Sequence, residues 1–514
     1  MRPILDVLGR ELLFFDGGMG TMLQQAGLPA GEEPVIWNLE NPDAVAAVHR
    51  QYVEAGCRIL KANTFGANGL QCAQSADVIA AGVSLARREA DRAPQEVWVA
   101  MDIGPTGWLL EPFGDLPFDE AVRLFRGMAA AGEQAGADCI LIETMSDTYE
   151  LKAAVLAARE ATRLPIFATL IFDEHGRLLT GGDIPAAAAL LEGMGADAIG
   201  FNCGLGPEQM QTLLPILLEA TSLPVIVNPN AGLPRTEGGR TVYDVTPEAF
   251  ARTMRQMARC GVAVLGGCCG TTPAHLAAMI AACADERPRT AARSPRPLLA
   301  TSTKRVLPGG VPLFFGSRVR TDRPSIGQAV RGKDWDALTD EALDELEAGA
   351  DGLVLGLSQL GADASAAAEA ILREWQSAAP RPLLLETDSP AVLERALRLY
   401  GGLPLVRLRD ASALSWAAPL LKLCGGVPVV PAGSEGALAA AGLHPAAALY
   451  EATDTAEQPA ILERLRKEGR LALAETADPD RLRAALAAGA AVIVGDPSDS
   501  ALMQAWEESR HGKA

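Results

Sequence analysis

Short apolar segments alternate with helix-like segments along the whole chain, and this alternation limits the possible folds more than any other feature. Parallel strands need a crossover connection, usually a helix, between them. In the first half of the chain the segments typical of buried strands are Leu12–Phe15, Arg58–Ala62, Val97–Asp102, Cys139–Glu143, Ile166–Ile171, Ala198–Asn202, Val225–Asn228 and Val262–Gly266. Helix-like segments separate them, including Asp43–Ala55, Asp119–Gln134, Thr148–Ala161, Pro207–Ala220 and Thr246–Ala258. Eight strands in such an order predict a (β/α)8 barrel of the TIM type.

The second half of the chain repeats the alternation after a change in composition. Residues 285–305 are rich in Pro, Arg and Ser and have no apolar period, which is typical of a linker. The strand candidates that follow are Leu313–Phe315, Gly352–Leu357, Leu383–Glu386, Leu405–Leu408, Val427–Val430, Ala447–Tyr450, Leu471–Ala474 and Ala491–Val494. We therefore predict an α/β protein with one barrel in residues 1–284, a linker in 285–305, and a second, compact barrel in 306–510.

Composition excludes several classes of function. The 514 residues carry a net charge of −19, which argues against nucleic-acid binding because phosphate neutralisation needs clustered Lys and Arg. No apolar run is long enough to cross a membrane, and the N-terminal residues do not resemble a secretory signal. The nine cysteines do not form a small-domain disulfide pattern. We expect a cytoplasmic protein without a membrane or nucleic-acid partner.

Polar and glycine-rich runs follow seven of the eight strand candidates in the first half. Examples are the runs that begin at Asp16, Asn63, Glu143 and Asn202. In a (β/α)8 barrel the functional face is built from the carboxyl ends of the strands and the loops that follow them. We therefore expect these side chains to meet at one mouth of the first barrel.

Three cysteines at this predicted mouth suggest a metal site. Cys203 follows the sixth strand candidate, and Cys268 and Cys269 follow the eighth between glycines. The spacing is too long for a local zinc finger, but the ends of strands six and eight lie only about 10 Å apart in a closed barrel. Three thiolates leave one position of a tetrahedral zinc open, which is typical of a catalytic rather than a structural metal.

An open zinc position suits a substrate that carries a thiol. Coordination to zinc removes the thiol proton at neutral pH and so supplies the nucleophilic thiolate. Asp16 and Glu143 on the same rim are candidates to hold a substrate ammonium, and the backbone N–H groups of residues 17–20 to receive its carboxylate. An ordinary solvated rim is the alternative interpretation of these two acidic residues.

The motifs DGGMGT, NTFGAN, DIGPTG, ETMSD, FNCG, NPNAGLP and GGCCGTTP resemble, in this order, those of the homocysteine S-methyltransferase family. The resemblance covers residues 1 to about 285 and extends to the homocysteine half of cobalamin-dependent methionine synthases. It implies zinc at Cys203, Cys268 and Cys269. It also implies homocysteine contacts at Asp16, Gly17 and Glu143, with Asn63 and Asn202 as further candidates. No protein residue is expected to act as a catalyst beyond the zinc-activated substrate thiol.

One motif departs from the family. The family usually has Glu-Thr-Asn-Thr-Phe at the end of the second strand, whereas this chain has Lys61 and Ala62 before Asn63. A threonine hydroxyl near the amino acid is therefore missing, and this bears on substrate affinity or identity.

The second half resembles the pterin-binding barrel that follows the homocysteine barrel in methionine synthases. The polar residues that bind a pterin in that family are replaced here, at Ser317, Arg320, Val354, Gly356, Glu386 and Arg407. A pterin edge needs paired acceptors, and each one left unsatisfied costs about 1–3 kcal/mol. We therefore expect a degenerate pterin barrel, kept as a scaffold or as a docking surface.

These observations lead to one main hypothesis and two alternatives. The main hypothesis is a zinc-dependent methyltransferase that forms methionine from homocysteine. Its methyl group would come from methylcobalamin on a separate corrinoid protein, because these residues contain no Asp-x-His-x-x-Gly run. The alternatives are a small donor such as S-methylmethionine or a betaine, and a non-catalytic accessory or docking subunit. The cysteine triad argues against the accessory subunit.

Overall fold

The computed structural model describes residues 2–29, 31–237, 240–289, 295–306, 310–358, 363–453 and 456–511. The chain divides into two compact units, Met1–Arg293 and Ser294–Ala514. Each unit contains eight parallel strands that alternate with helices, so the predicted fold class is confirmed.

The first unit is a barrel in which every strand is buried. Its strands are β1 (Leu13–Phe14), β2 (Ile59–Lys61), β3 (Trp98–Ile103), β4 (Cys139–Met145), β5 (Ile166–Leu170), β6 (Ala198–Asn202), β7 (Val225–Asn228) and β10 (Val264–Leu265). Between β7 and β10 the chain forms an antiparallel hairpin of β8 (Arg235–Glu237) and β9 (Arg240–Val242). The sheet runs in the order β1-β10-β7-β6-β5-β4-β3-β2, and a parallel bridge between Phe15 and Ile59 joins its two ends.

Helices cover the outside of this barrel. They are α1 (Met19–Gln25), α2 (Trp37–Glu40), α3 (Pro42–Glu54), α4 (Ser75–Asp91), α5 (Phe118–Gln134), α6 (Thr148–Ala161), α7 (Ile184–Gly193), α8 (Pro207–Ala220), α9 (Pro247–Arg259) and α10 (Pro273–Ala282). Local sequence explains several of their starts. The side chains of Asp147, Asp183 and Thr246 accept backbone N–H groups in the first turns of α6, α7 and α9.

The second unit is a closed barrel preceded by a short hairpin. The hairpin pairs β11 (Leu299–Ala300) with β12 (Arg305–Val306). The barrel strands are β13 (Leu313–Gly316), β14 (Gly352–Gly356), β15 (Leu383–Glu386), β16 (Leu405–Arg407), β17 (Val427–Pro431), β18 (Leu449–Ala452), β19 (Leu471–Glu475) and β20 (Val492–Gly495). Its helices are α11 (Pro324–Gly332), α12 (Trp335–Glu347), α13 (Asp363–Ala378), α14 (Pro390–Leu399), α15 (Leu414–Cys424), α16 (Glu435–Ala440), α17 (Gln458–Lys467), α18 (Pro479–Ala488) and α19 (Ser500–His511).

Each barrel interior is filled by apolar side chains from its strands, so neither barrel is a pore. In the first barrel Phe15, Trp98 and Phe167 form part of one buried cluster, which Ile4 and Val7 extend. In the second barrel the corresponding cluster consists of Leu299, Phe315, Val354, Leu384, Leu405, Val427, Val429, Leu449, Leu473, Val492 and Val494. Burial of this kind is the main favourable contribution to folding.

The predicted linker differs from the structure in its second part. Leu299 is fully buried in the core of the second barrel, and Ala300 bridges Leu403. The segment from Leu299 to Val306 is therefore a hairpin of the second unit. The sequence pattern did not predict this hairpin, because the segment has a polar composition and two-residue strands show no apolar alternation. Residues 290–294 of the predicted linker lie outside the described residues.

Within the part of the chain that the structure describes, no helix has the length and apolar character needed to cross a membrane.

Candidate functional site

The three predicted metal ligands meet at the carboxyl ends of the strands of the first barrel. The sulfur atoms of Cys203, Cys268 and Cys269 all lie within 4.8 Å of one another. The Sγ atoms of Cys203 and Cys269 are 3.9 Å apart. A tetrahedral zinc with Zn–S bonds of 2.3 Å places its sulfur ligands about 3.8 Å apart. The cluster therefore fits zinc without rearrangement of the chain.

Backbone hydrogen bonds hold the two cysteine segments together. The N–H of Cys203 donates to the carbonyl of Asn228 at 3.2 Å, and the N–H of Cys268 donates to the carbonyl of Pro229 at 2.9 Å. The carbonyl of Cys269 accepts from the N–H of Ala231 at 3.0 Å. The loop after β7 thus links both segments, and the sulfur positions are set by the backbone.

Two residues at the mouth have positive φ angles that are rare outside glycine. Cys203 has φ 55° and Thr144 has φ 62°. The buried side chain of Asn202 stabilises Thr144, because its Oδ1 accepts from the Thr144 N–H at 2.8 Å and its Nδ2 donates to the Thr144 hydroxyl at 2.6 Å. Strained backbone of this kind persists where surrounding contacts impose it, and it concentrates at functional sites.

A cavity of about 320 Å³ opens beside the three sulfur atoms. Its wall includes Cys203, Cys268 and Cys269 together with Gly17, Gly18, Met19, Gly20, Thr21, Glu33, Pro34, Val35, Lys61, Ala62, Asn63, Phe65, Gly66, Asp102, Glu143 and Thr144. This volume is in the range of small-molecule sites in proteins. A molecule in the cavity can therefore reach the sulfur cluster and a group of charged side chains.

Lys61 is the centre of this charged group. Its side chain is 6% exposed, and its Nζ donates to the carbonyl of Gly267 at 3.1 Å. The same Nζ lies 3.8 Å from Oε2 of Glu143 and 4.0 Å from Oδ1 of Asp16. Burial disfavours the charge on Lys61, but the carboxylates of Glu143 and Asp16 outweigh burial and raise the pKa of the ammonium.

The acidic side chains of the site have unusual pKa values because they are buried. Burial raises the pKa of Asp16 to about 7 and that of Glu143 to about 7, and the charge of Lys61 opposes both shifts. Burial and the charge of Glu143 raise the pKa of Asp102 well above its ordinary value. Burial therefore favours the protonated form of both Asp102 and Glu143. Perturbed carboxyl groups of this kind are common at functional sites.

Tyr243 adds a hydroxyl to the sulfur cluster. Its ring lies so close to Gly270 that a Cβ at Gly270 would come within 2.3 Å of the ring. Hydrogen bonds from Cys203, Cys268 and Tyr243 lower the pKa of Cys269, to about 3. A lowered pKa favours the thiolate of Cys269, which is the form that binds metal.

The predicted substrate contacts occupy different positions. Gly17, Asn63 and Glu143 line the cavity, and Asp16 is buried beside Lys61. Asn63 donates to the side chain of Asn38 and to a backbone carbonyl, so its amide also joins two loops. Asn202 does not line the cavity and instead holds Thr144.

Sequence reasoning gave no role to several residues of this site. Asp102 lies in the DIGPTG motif, and its position at the end of a strand was the available signal. In the sequence, Lys61 differs from other polar residues of this region only as a departure from a family motif. Tyr243 follows a hairpin that the apolar pattern does not show, and no local signal indicated its contact with Cys269.

The mouth of the second barrel is filled by ion pairs. Nη1 of Arg407, which is 3% exposed, lies 2.7 Å from Glu386 and 2.6 Å from Glu475. Its Nε donates to Glu451 at 2.9 Å. Arg320 pairs with Glu386 at 3.0 Å and with Glu475 at 2.6 Å. We call these five residues the second-barrel ion network.

The network occupies positions where the resemblance places pterin contacts, namely Arg320, Glu386 and Arg407. The carboxylate of Glu386 accepts from Arg320 and Arg407 through one oxygen and from Arg409 through the other. A Cβ at Gly356 would lie 2.8 Å from Cγ of Arg320. The acceptors that a pterin needs are therefore engaged by arginines of the chain itself.

Comparison with protein families agrees with the motifs. The model of the family described as homocysteine S-methyltransferase matches residues 13–283. The chain belongs to the homocysteine S-methyltransferase family. This family region contains the three cysteines, the cavity and Lys61.

The curated relatives are longer than this chain. A methionine synthase of Mycobacterium tuberculosis is 32% identical over 425 residues, which covers 78% of this chain and 35% of the relative. The match is longer than the first unit and so extends into the second. This chain spans about a third of the length of that relative.

The solved structures that are similar to this chain are of two kinds. The metallated form of the homocysteine methyltransferase MmuM from Escherichia coli is 27% identical with a TM-score of 0.47, over 55% of this chain and 98% of that one. A dihydropteroate synthase from Xanthomonas albilineans is 20% identical with a TM-score of 0.33, over 42% of this chain and 99% of that one.

Proposed function

We propose that this protein is a zinc-dependent homocysteine S-methyltransferase that forms methionine. The observation that carries the proposal is the cluster of Cys203, Cys268 and Cys269, whose 3.9 Å sulfur separation fits tetrahedral zinc and whose three members line one cavity. Zinc, when bound there, favours the thiolate form of a substrate thiol.

In this proposal the substrate binds beside this cluster. The homocysteine thiol points to the three cysteines and its amino-acid end points to Glu143, Asp16 and Lys61, an orientation supported by the ion contacts that join these charged side chains. Gly17 and Asn63 form the adjacent wall. Asn202 acts indirectly, since it holds Thr144 at the edge of the cavity. In the reaction the substrate sulfur loses its proton, forms a bond to the methyl carbon, and the bond between that carbon and the donor breaks.

We further propose that the methyl group comes from a methylcorrinoid on a separate protein. The similarity to proteins named methionine synthase, which extends into the second unit, supports this donor. The second-barrel ion network supports a scaffold or docking role for the second unit, because both oxygens of Glu386 already accept hydrogen bonds from arginines. S-methylmethionine and betaine are the competing donors.

The test combines zinc content with methyl transfer. We expect about one zinc per chain, and methionine from homocysteine with methylcobalamin. Parallel reactions with S-methylmethionine and betaine identify a small donor if one is used. Zinc binding without methyl transfer from any of the three donors would favour the accessory subunit instead.

A separate titration tests the second unit. We expect calorimetry to detect no binding of methyltetrahydrofolate in the micromolar range. Micromolar binding would contradict the proposal that the ion network replaces a pterin site. Loss of that binding on substitution of Arg320 would then place the folate at this mouth.

A further inference from the structure

We propose that Lys61 takes the place of a substrate ammonium between Glu143 and Asp16, so that the site binds thiol carboxylates that lack an α-amino group less than about 100-fold more weakly than homocysteine. This inference rests on the proposed thiol site and adds the class of substrate that the site admits. The residues that carry it are Lys61, its two carboxylate neighbours and Gly267.

The geometry gives the Lys61 ammonium one hydrogen-bond acceptor and two ion contacts from the chain itself. One N–H donates to the carbonyl of Gly267 at 3.1 Å. Oε2 of Glu143 and Oδ1 of Asp16 lie 3.8 Å and 4.0 Å from the same Nζ. Each of these two oxygens is buried and has no hydrogen-bond partner in the described structure. Lys61 is the cation that lies beside both oxygens, and its flexible side chain lets Nζ move towards either of them.

The basic charge at the cavity also favours a substrate without an ammonium. Among the described residues that line the cavity, Lys61 is the only basic side chain. An incoming ammonium would have to share the carboxylates of Glu143 and Asp16 with this buried cation and would be repelled by it. A substrate without an ammonium leaves the existing ion contacts in place.

This arrangement predicts weak discrimination by the site. A site built to bind a substrate N–H group rejects an analogue without that group by about 10⁴-fold, because its own buried polar groups are then left unpaired. Here Lys61 supplies the missing partner to Glu143 and Asp16. The loss of the substrate ammonium should therefore cost far less than in a site without a resident cation.

The test compares two thiols that differ only in the amino group. Homocysteine and 4-sulfanylbutanoate are titrated separately into the zinc-loaded full chain by calorimetry, which needs no methyl donor. We expect dissociation constants that differ by less than about 100-fold in the unmodified chain, in contrast to the 10⁴-fold of a site that depends on the ammonium. A larger ratio would overturn the inference whether or not any variant folds.

Substitutions of Lys61 then test whether this residue causes the low ratio of the two dissociation constants. Lys61→Gln removes the cation and should raise the ratio at least tenfold in favour of homocysteine, whereas Lys61→Arg keeps the cation and should leave the ratio low. Lys467→Gln, on an exposed helix of the second unit, is the matched control. An unchanged ratio in a folded Lys61→Gln chain would also overturn the inference. If neither thiol binds, the proposed thiol site itself fails, whereas tight and selective binding of homocysteine refutes only the role of Lys61.

Discussion

Replacement of Arg407 by methionine should destabilise the second barrel strongly. The guanidinium is 3% exposed and contacts three carboxylates, those of Glu386, Glu451 and Glu475. Removal of one partner from a buried ion pair costs about 3–5 kcal/mol, because the remaining charge stays buried and uncompensated. The substitution Arg407→Met keeps much of the side-chain volume, so loss of charge is the main change.

The contacts of the neighbouring arginine set the size of the effect. Arg320 still pairs with Glu386 and Glu475 after the substitution. Of the three carboxylates, Glu451 is the one for which the described structure shows no ion pair with Arg320. We therefore expect the lower part of the range, about 3 kcal/mol, which corresponds to a fall of about 6–12 °C in the Tm of a domain of this size.

Differential scanning calorimetry of the full chain measures this change. The relevant transition is the one that a zinc chelator leaves unshifted. Arg409→Met is the matched control, since its side chain is 68% exposed and makes a 3.4 Å contact with Glu386. We expect this control to change stability by less than about 1 kcal/mol.

A second substitution tests the physical reason. If the stranded charge of Glu451 causes the loss, Glu451→Gln in the Arg407→Met background should restore part of the stability. Equal effects of Arg407→Met and Arg409→Met would refute the reasoning. A loss below about 1 kcal/mol for Arg407→Met would do so as well, since the network would then be no more than a surface feature.

Three further substitutions test the first barrel. Cys269→Ser should weaken zinc binding about 10²–10³-fold in a chelator competition, because one of the ligands that share a zinc-binding free energy of about 10–16 kcal/mol is lost. Cys260→Ser, at an exposed position, should leave zinc binding unchanged. Burial lowers the pKa of His49 to about 4. Between pH 6.5 and 4 the unfolded state therefore binds a proton at His49 that the folded state does not. The free energy of unfolding should consequently fall by up to about 3 kcal/mol as the pH drops through this range. Urea unfolding of His49→Leu should show a smaller pH dependence than the parent, whereas the exposed control His175→Leu should retain it. Asn202→Ala should lower stability by about 1–3 kcal/mol for each of the two Thr144 groups that lose their partner. It should also weaken homocysteine binding without loss of zinc. Normal homocysteine affinity in calorimetry would contradict this role of Asn202.

Most of the architecture could be predicted from the chain alone. Each of the sixteen predicted strand segments overlaps a barrel strand, and α6 and α8 have their predicted bounds. Apolar periodicity reports burial directly, and a strand buried on both faces leaves a continuous apolar run. The short hairpins at β8–β9 and β11–β12 were not predicted, because segments of two or three residues carry no period.

The candidate site was predictable where residue type alone implies chemistry. Cys203, Cys268 and Cys269 are metal ligands by type, and the order of strands in a barrel brings them to one mouth. For the second barrel, the sequence predicted the loss of pterin contacts but not the ion network that replaces them. Its ion pairs join side chains from different strands, and no local pattern specifies such partners.

The sequence by itself determined two barrels and a triad of cysteines at the mouth of the first, since both follow from local apolar patterns and residue type. Only the tertiary structure decided what Lys61 and Asn202 do. Lys61 lies between Asp16, which follows β1, and Glu143, which belongs to β4. Asn202 holds Thr144 and does not line the cavity. Where a side chain points, and which charge it meets, depends on long-range packing that a sequence pattern does not encode.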